Sequence, residues 1–195
     1  IRVGGSDVFV TEACEYTNSF LHLFPKISII LNIDEDHLDF FKDLDDIRNS
    51  FRAFAELLPA DGALIINGEI DNVSAIIEGL PCKVVTYGHC NSMDYGAVNI
   101  AHNKRGEVSF DFTKNGEFVR RIYLSVGGEH NVSNALAALA VAGQLYIPAE
   151  TSQAGLKTFT GTTRRFEHKG DRDGVTVIDD YAHHPTEITA TLTAA

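Results

Sequence analysis

The chain has 195 residues, of which 44% are hydrophobic and 22% are charged, a composition typical of a globular protein with a packed core. A chain that is mainly disordered is therefore excluded. Acidic residues outnumber basic ones by 27 to 16, and the formal net charge of -11 argues against nucleic acid or an anionic membrane as a partner.

No membrane span and no disulfide framework are expected. The long segment without charged side chains, His130–Ala149, is interrupted by polar residues. Three cysteines (Cys14, Cys82 and Cys90) are an odd number without a CxxC spacing, which favours reduced thiols and a cytoplasmic location. The chain begins with isoleucine and shows no signal segment, so we expect it to be an internal part of a longer protein.

The first half of the chain alternates strand-like and helix-like segments. Two strands are predicted, Asp7–Glu12 and Lys26–Ile33, and the second is a near-continuous apolar run typical of a strand buried on both faces. A helix is predicted over Asp43–Leu58, with Asp43 as N-cap and Pro59 as its stop. A strand, a helix and a strand follow at Ala63–Asn67, Asp71–Glu78 and Lys83–Tyr87. The pattern predicts an α/β fold with a mostly parallel sheet flanked by helices.

The pattern changes to β-like runs over Ala97–Val126. Turns are predicted at Asn103–Gly106 and Lys114–Glu117, and the Asn-Gly centre of the second favours a tight hairpin. We expect a small antiparallel flap attached to the α/β unit. Two helices then follow, at His130–Tyr146 and Ala149–Phe159.

A domain boundary is predicted near Thr162, dividing the chain into residues 1–161 and 162–195. The second part has a strand at Val175–Ile178 and a helix from Pro185, the start of a second α/β domain. About 30 residues are too few to bury a core of their own. We therefore expect this tail either to be mobile or to pair with a second copy of the chain, which would give a homodimer.

An acidic cluster, Asn32–Asp39, follows the second predicted strand, and Glu12 ends the first. Open α/β sheets place their ligands at this edge, so Glu12 and His37 could meet and suit a divalent cation. Two alternatives stay open. The cluster could be a solvated turn with His37 at a helix end, or Glu12, His37 and His183 could form the centre of a metal-dependent hydrolase.

Polar groups also open the predicted helix that begins at His130. His130, Asn131 and Asn134 carry imidazole and amide groups that could grip a nucleobase. The alternative is that Asn131 only caps the helix.

The densest polar group consists of Arg164 and Arg165, followed by Asp179–Pro185. Adjacent arginines could clamp phosphates bidentately, with the aspartates orienting them. His183 and His184 are neighbours without a metal-binding spacing, so one of them could be structural. Neither GxxxxGK[ST] nor GxGxxG occurs in the chain.

Taken in order, these segments resemble the Mur ligase family over essentially the whole chain. The motifs that carry the resemblance are Glu12–Tyr16, Asn32–Asp39, Gly128–Ala138, Arg164–Glu167 and Asp179–Glu187. The resemblance implies a three-domain enzyme with a nucleotide-sugar domain, a central ATPase domain and a C-terminal domain. This chain would be the later part of the central domain, without its phosphate loop, and the beginning of the third.

The resemblance also implies a reaction. Family enzymes use ATP and Mg²⁺ to activate a carboxylate as an acyl phosphate, which an amine then attacks. The motifs are most similar to those of members that join L-alanine to UDP-N-acetylmuramic acid in peptidoglycan synthesis. The alternatives are the member that attaches a tripeptide to the same nucleotide sugar, and a module that only binds nucleotide.

Residue roles follow from the resemblance alone. Glu12 and His37 would hold Mg²⁺, and His37, Arg165 and Asp180 would be catalytic. The residues expected to contact ATP are His130, Asn131, Asn134, Arg164, Arg165, Asp180, Tyr181 and His183. Some relatives carry a carbamylated lysine on the helix after the acidic cluster, but Arg52 stands near that place, so none is expected. Without a phosphate loop, the isolated chain is expected not to hydrolyse ATP.

Overall fold

A computed structural model describes residues 4–5, 7–104 and 106–194 of the chain. Six strands form one sheet whose spatial order follows the chain: β1 (Ile27–Ile30), β2 (Ala63–Asn67), β3 (Lys83–Gly88), β4 (Tyr95–His102), β5 (Glu107–Lys114) and β6 (Glu117–Gly127). The first four strands pair in parallel, and the last two pairings are antiparallel. The predicted α/β class with a mostly parallel sheet is confirmed.

The helices are α1 (Leu44–Glu56), α2 (Val73–Ile77), α3 (Glu129–Gln144), α4 (Ala149–Thr158) and α5 (Pro185–Ala194), and a 3₁₀ segment, Tyr16–His22, precedes β1. The predicted N-cap of α1 is confirmed, since the Asp43 carboxylate accepts a hydrogen bond from the Asp46 N–H at 3.0 Å. None of the helices in the described part of the chain is both long and apolar enough to cross a membrane.

Two apolar clusters cover the two faces of the parallel strands. On one face, α1 and α2 pack over a cluster that includes Leu64 and Ile66; on the other, α3 packs over a cluster that includes Ile65. Successive β2 side chains therefore enter opposite cores, so β2 is the strand buried on both faces. This arrangement holds the carboxyl ends of β1, β2 and β3 at one edge of the sheet.

Of the two strands predicted at the start of the chain, the first is absent and the second is confirmed only over Ile27–Ile30. Residues 7–12 form no strand, because their backbone joins no ladder and side chains such as Phe9 and Val10 stay exposed. The second strand is shorter than Lys26–Ile33, and it is not buried on both faces: Ile29 is 41% exposed. The reason is that α3 packs over β2, β3 and β4, whereas β1 lies at the edge of the sheet among the described residues.

The predicted antiparallel flap is present, and it continues the same sheet as the parallel strands. β3 and β4 pair in parallel over two positions, Tyr87 with Tyr95 and Gly88 with Gly96, after which β4 continues into the antiparallel ladder with β5. Both predicted hairpin connections are present, although Arg105 of the first lies outside the described residues. The antiparallel region thus extends the same sheet, and α3 packs against strands of both kinds.

The tail forms a separate two-stranded antiparallel sheet of β7 (Glu167–Arg172) and β8 (Val175–Asp179), followed by α5. The β8 strand and the helix start at Pro185 are confirmed, whereas β7 has no apolar pattern in the sequence and was not predicted. Apolar side chains of β8 remain exposed, Val175 by 62% and Val177 by 50%. The tail is nevertheless in contact with the rest of the chain, as shown below.

Candidate functional site

The loop after β1 is held by its own carboxylates. The Asp34 and Asp36 side chains accept hydrogen bonds from the backbone N–H groups of Glu35 and His37, at 2.9 and 2.6 Å. His37 has a positive φ of 53°, and its carbonyl accepts bonds from the N–H groups of Phe40 and Phe41. Among non-glycine residues, histidine tolerates this left-handed conformation better than most. The loop therefore has a fixed shape that presents the His37 ring at the edge of the sheet.

Residues at the start of the 3₁₀ segment contact the His37 ring. The Tyr16 ring lies 4.5 Å from the His37 ring, centroid to centroid, and its hydroxyl donates a 2.7 Å bond to Asp39. This bond, together with the charge of Asp39, raises the pKa of Tyr16 above its ordinary value. The Glu15 carboxylate oxygen Oε1 lies 3.4 Å from Nε2 of His37. A carboxylate and an imidazole thus meet at this edge of the sheet, but the carboxylate is that of Glu15 and not that of Glu12.

Glu12 is exposed, and none of the ion pairs formed by the described residues joins it to His37. Within those residues, no three His, Cys, Asp or Glu side chains are clustered closely enough to hold a metal by themselves. Magnesium is nevertheless commonly bound by one or two protein carboxylates, with water and substrate phosphates completing its shell. The residues fit such a partial site, and the assignment of Mg²⁺ to Glu12 and His37 stays a prediction.

The first turn of α3 is organised by its own side chains. Asn131 donates to the Gly127 carbonyl at 2.6 Å, and its Oδ1 accepts from Asn134 at 3.4 Å. The His130 ring lies over Gly128, whose φ is 85°, and a Cβ at that glycine would collide with the ring. The alternative in which Asn131 is the N-cap is wrong, because Gly128 occupies that position.

The tail brings Asp180 to this turn. Partial desolvation of the His130 ring lowers its pKa below the ordinary value, and the charge of Asp180 opposes the shift. Asp180 itself accepts bonds from the Phe166 N–H, the Ala182 N–H and the Thr191 hydroxyl, at 2.9, 2.7 and 3.1 Å. Burial would raise the pKa of Asp180, but these bonds outweigh it and the net shift is downward. Asp180 is therefore an ionised anchor of the tail.

The remaining predicted residues of the tail surround Asp180. The Arg164 guanidinium lies 4.6 Å from the Tyr181 ring centre, and the Tyr181 and His183 rings are 5.3 Å apart. Arg165 makes a long contact of 3.5 Å with Glu187 and keeps a side chain that is 53% exposed. Its guanidinium is therefore available to an anionic ligand.

A further pair of contacts joins the tail to the loop after β1. Nε2 of His184 lies 2.8 Å from the Glu35 carbonyl oxygen, and the Thr186 hydroxyl donates to the Asp34 carboxylate at 2.6 Å. The sequence alone does not predict these contacts. The two segments are far apart in the chain, and no local pattern marks a hydroxyl and a carboxylate as partners.

The Thr186 bond predicts a measurable pKa change. It is the largest cause that lowers the pKa of Asp34 below its ordinary value, against partial burial, which raises it. Replacing Thr186 by valine keeps the shape and removes the donor, so we expect the pKa of Asp34 to rise. A carboxyl titration followed by NMR measures this. The control is Thr193→Val, because the Thr193 hydroxyl bonds to the Thr189 carbonyl of its own helix.

The lowered pKa of Asp34 defines the pH range in which this contact stabilises the protein. Because the pKa of Asp34 is depressed in the folded protein, the contact stabilises the docked tail above the ordinary carboxyl pKa of about 4. This stabilisation is lost as the pH falls through the depressed value. An Asp34 pKa that is the same in Thr186→Val and in the wild type would contradict the assigned cause.

Arg52 has a structural place on α1. Its Nε donates to Glu56 at 2.8 Å, and NH1 donates to the carbonyls of Ile76 and Glu78, at 3.0 and 2.5 Å. The side chain therefore ties α1 to the end of α2.

The described cysteines are unpaired: Cys14 is exposed, Cys82 is buried and Cys90 is half-buried.

Comparison with known proteins gives matches over almost the whole chain. Residues 2–142 match the Mur ligase middle domain, and residues 164–195 match the Mur ligase glutamate ligase domain. The UDP-N-acetylmuramate–L-alanine ligase of Agathobacter rectalis is 54% identical over 195 residues, which are 100% of this chain and 42% of that protein. The chain therefore spans less than half the length of this relative.

Two solved structures show the same fold. MurC, the UDP-N-acetylmuramate–alanine ligase of Thermotoga maritima, has a TM-score of 0.75 and 29% identity over 91% of this chain and 39% of its own. The murein peptide ligase of Psychrobacter arcticus has a TM-score of 0.68 and 31% identity over 90% of this chain and 35% of its own. The sequence motifs, the fold and the two domain matches agree, and the chain belongs to the Mur ligase family.

Proposed function

We propose that this chain is part of an ATP-dependent ligase that joins L-alanine to UDP-N-acetylmuramic acid in peptidoglycan synthesis. The observation that carries the proposal is the 54% identity, over the full chain, to the L-alanine ligase of A. rectalis. The two solved structures do not separate the alternatives, because MurC and the murein peptide ligase are similarly distant, at 29% and 31% identity. Specificity for L-alanine therefore rests on the closer relative.

In this proposal, ATP binds between the central part of the chain and the tail. The first turn of α3, with His130, Asn131 and Asn134, takes the adenine. From the tail, Arg164 and Arg165 take phosphate oxygens by paired N–H donors, and Tyr181 and His183 line the same cleft. The influence of Asp180 on the pKa of His130 supports this placement, because it requires the two segments to be close.

The proposed phosphoryl transfer depends more on charge neutralisation than on covalent catalysis. Transfer of a phosphoryl group to a carboxylate is catalysed mainly by positioning and by countering negative charge. Mg²⁺, held by Glu12 and His37, would supply part of that positive charge. The exposed guanidinium of Arg165 supplies another part of the positive charge. Asp180 holds the backbone next to Arg165 by accepting the Phe166 N–H.

The domain division and location belong to the same proposal. We place the boundary near Thr162, which the separate matches to residues 2–142 and 164–195 support. The unpaired cysteines suit the reducing cytoplasm. A homodimer through the exposed strand β8 stays a prediction. The alternative is that the tail packs on its own chain, where His184 contacts Glu35 and Thr186 contacts Asp34.

The test uses the full-length protein with ATP, Mg²⁺ and UDP-N-acetylmuramic acid, and measures ADP release with either L-alanine or the tripeptide. We expect release that depends on L-alanine, with a product heavier by one alanine residue. Release that depends only on the tripeptide would instead assign the activity of the member that attaches a tripeptide to the same nucleotide sugar. Nucleotide binding with neither amine consumed would assign a binding module.

A further inference from the structure

Three polar side chains to which the proposed function assigns no role lie in one hydrogen-bonded row. His89 follows the end of β3, and its Nδ1 lies 3.0 Å from Oε2 of Glu69, which follows the end of β2. Its Nε2 lies 3.2 Å from the Ser133 hydroxyl on α3. We call these residues the Glu69–His89–Ser133 relay.

The relay is held in place at its acidic end. Oε1 of Glu69 also accepts the backbone N–H of His89 at 2.9 Å, so the carboxylate grips this residue twice. The Glu69 side chain lies across Gly88, where a Cβ would stand only 3.1 Å from its Cγ. The His89 side chain is 29% exposed and that of Glu69 is 38% exposed, so the relay lies at the edge of the sheet and not in the core.

The directions of the bonds follow from the carboxylate. An ionised carboxylate can only accept, so Nδ1 of His89 carries the proton and donates to Glu69. In the neutral ring, Nε2 is then an acceptor, and the Ser133 hydroxyl donates to it. Glu69 thereby selects the tautomer that can hold Ser133.

The relay reaches the helix turn proposed to hold adenine. Ser133 is three residues after His130, on a neighbouring part of the helix surface, and it stands between Asn131 and Asn134 in sequence. The same turn is tied to the end of β6 by the bond from Asn131 to the Gly127 carbonyl. The relay ties it to the ends of β2 and β3, so the turn is fixed from two sides.

We propose that Glu69 and His89 are positioning residues that hold the adenine-binding turn of α3 in place through Ser133. The inference rests on the proposed function, because it takes this turn as the adenine site. Ordering the turn before ATP arrives lowers the entropic cost of binding, so the relay acts on nucleotide affinity and not on the chemical step.

The distances are also those of a Ser–His–acid catalytic triad, but the surroundings differ. A triad nucleophile needs backbone N–H groups that are free to stabilise an oxyanion. Ser133 is the fifth residue of α3, where the N–H groups are taken by carbonyls of the preceding turn. The arrangement therefore supports anchoring and not hydrolysis.

The test measures the Michaelis constants of the full-length ligase for ATP and for L-alanine. Ser133→Ala and His89→Ala are each expected to raise KM for ATP about fivefold, the effect of one typical hydrogen bond. The kcat and the KM for L-alanine should stay within about twofold. The matched control is Ser152→Ala, because the Ser152 hydroxyl bonds to the Pro148 carbonyl at 3.2 Å, within its own helix region.

Two further variants separate the two bonds of the ring. An asparagine at position 89 places its amide near the site of Nδ1 and keeps only the Glu69 bond, whereas a glutamine reaches the site of Nε2 and keeps the Ser133 bond. We expect His89→Gln to recover part of the ATP affinity, because it keeps the Ser133 bond without the Glu69 bond, and His89→Asn to recover little. The double variant His89→Ala with Ser133→Ala should be no worse than either single variant.

Unchanged KM for ATP in His89→Ala and Ser133→Ala would overturn the proposal. Parallel losses for both substrates, together with a lower melting temperature, would overturn it as well, since they indicate a general structural role. If the wild-type protein forms no alanine amide, the proposed function fails, and calorimetric ATP affinity of the same variants still tests the relay. A wild-type protein that does not bind ATP would overturn both.

Discussion

Replacing His37 in the full-length ligase is expected to lower turnover about 100-fold, the loss typical of removing one group that stabilises transition-state charge. The ring stands at the carboxyl edge of the sheet, in contact with Glu15 and Tyr16. Because His37 has a positive φ, His37→Ala also strains the backbone. His37→Asn tolerates that conformation and serves as the second variant.

Turnover is measured at saturating Mg²⁺, and the melting temperature is measured alongside it. The control is His22→Ala, an exposed histidine at the end of the neighbouring 3₁₀ segment. Near-normal turnover in both His37 variants would remove this residue from the catalytic site.

The same assay decides which carboxylate serves the metal. We expect Glu12→Gln to lower turnover about 100-fold, and Glu15→Gln to lower it less than about tenfold. In that outcome, Glu15 orients the imidazole and Glu12 contributes to the metal site. The reverse order would assign the carboxylate to Glu15, the residue that contacts His37.

Asp180→Asn is expected to lower turnover by a similar factor of about 100, because small displacements of positioned groups have effects of this size. The carboxylate joins the Phe166 N–H, the Ala182 N–H and the Thr191 hydroxyl. An asparagine offers one acceptor oxygen and turns an N–H₂ donor toward the remaining donors. The backbone beside Arg165 should then shift.

The measurement combines steady-state turnover with amide hydrogen exchange of β8. We expect faster exchange in β8, because Thr191 would lose its link from α5 to Asp180. The control is Asp179→Asn, the preceding residue, whose carboxylate faces Lys169 at 3.7 Å. Equal effects of the two substitutions would contradict a specific role for Asp180.

The lowered pKa of Asp180 also predicts how the stability of the tail changes with pH. The pKa of Asp180 is lowered in the folded protein, so its contribution to stability is complete above the ordinary carboxyl value. It is lost as the pH falls through the depressed value. Protection of the β8 amides should therefore decrease on acidification in the wild type, and much less in Asp180→Asn.

Local patterns in the sequence predict the helices and strands that are marked by a capping residue or by a continuous apolar run. Helix α1 begins after its predicted N-cap and keeps its apolar face toward the core, and β2 has the bounds that its apolar run predicts. These features depend on neighbouring residues only, through capping and the helical period. The family motifs, likewise, are continuous stretches of sequence and could be recognised without a structure.

How these segments meet depends on the packing of elements that are distant in the chain. Glu15 and not Glu12 contacts His37, because residues 7–12 form no strand and the 3₁₀ segment turns the chain toward the loop after β1. The bond between Thr186 and Asp34 and the contact of His89 with Ser133 join residues distant in sequence. Such contacts depend on the order and spacing of the packed elements, and a one-dimensional pattern of polarity does not contain that information.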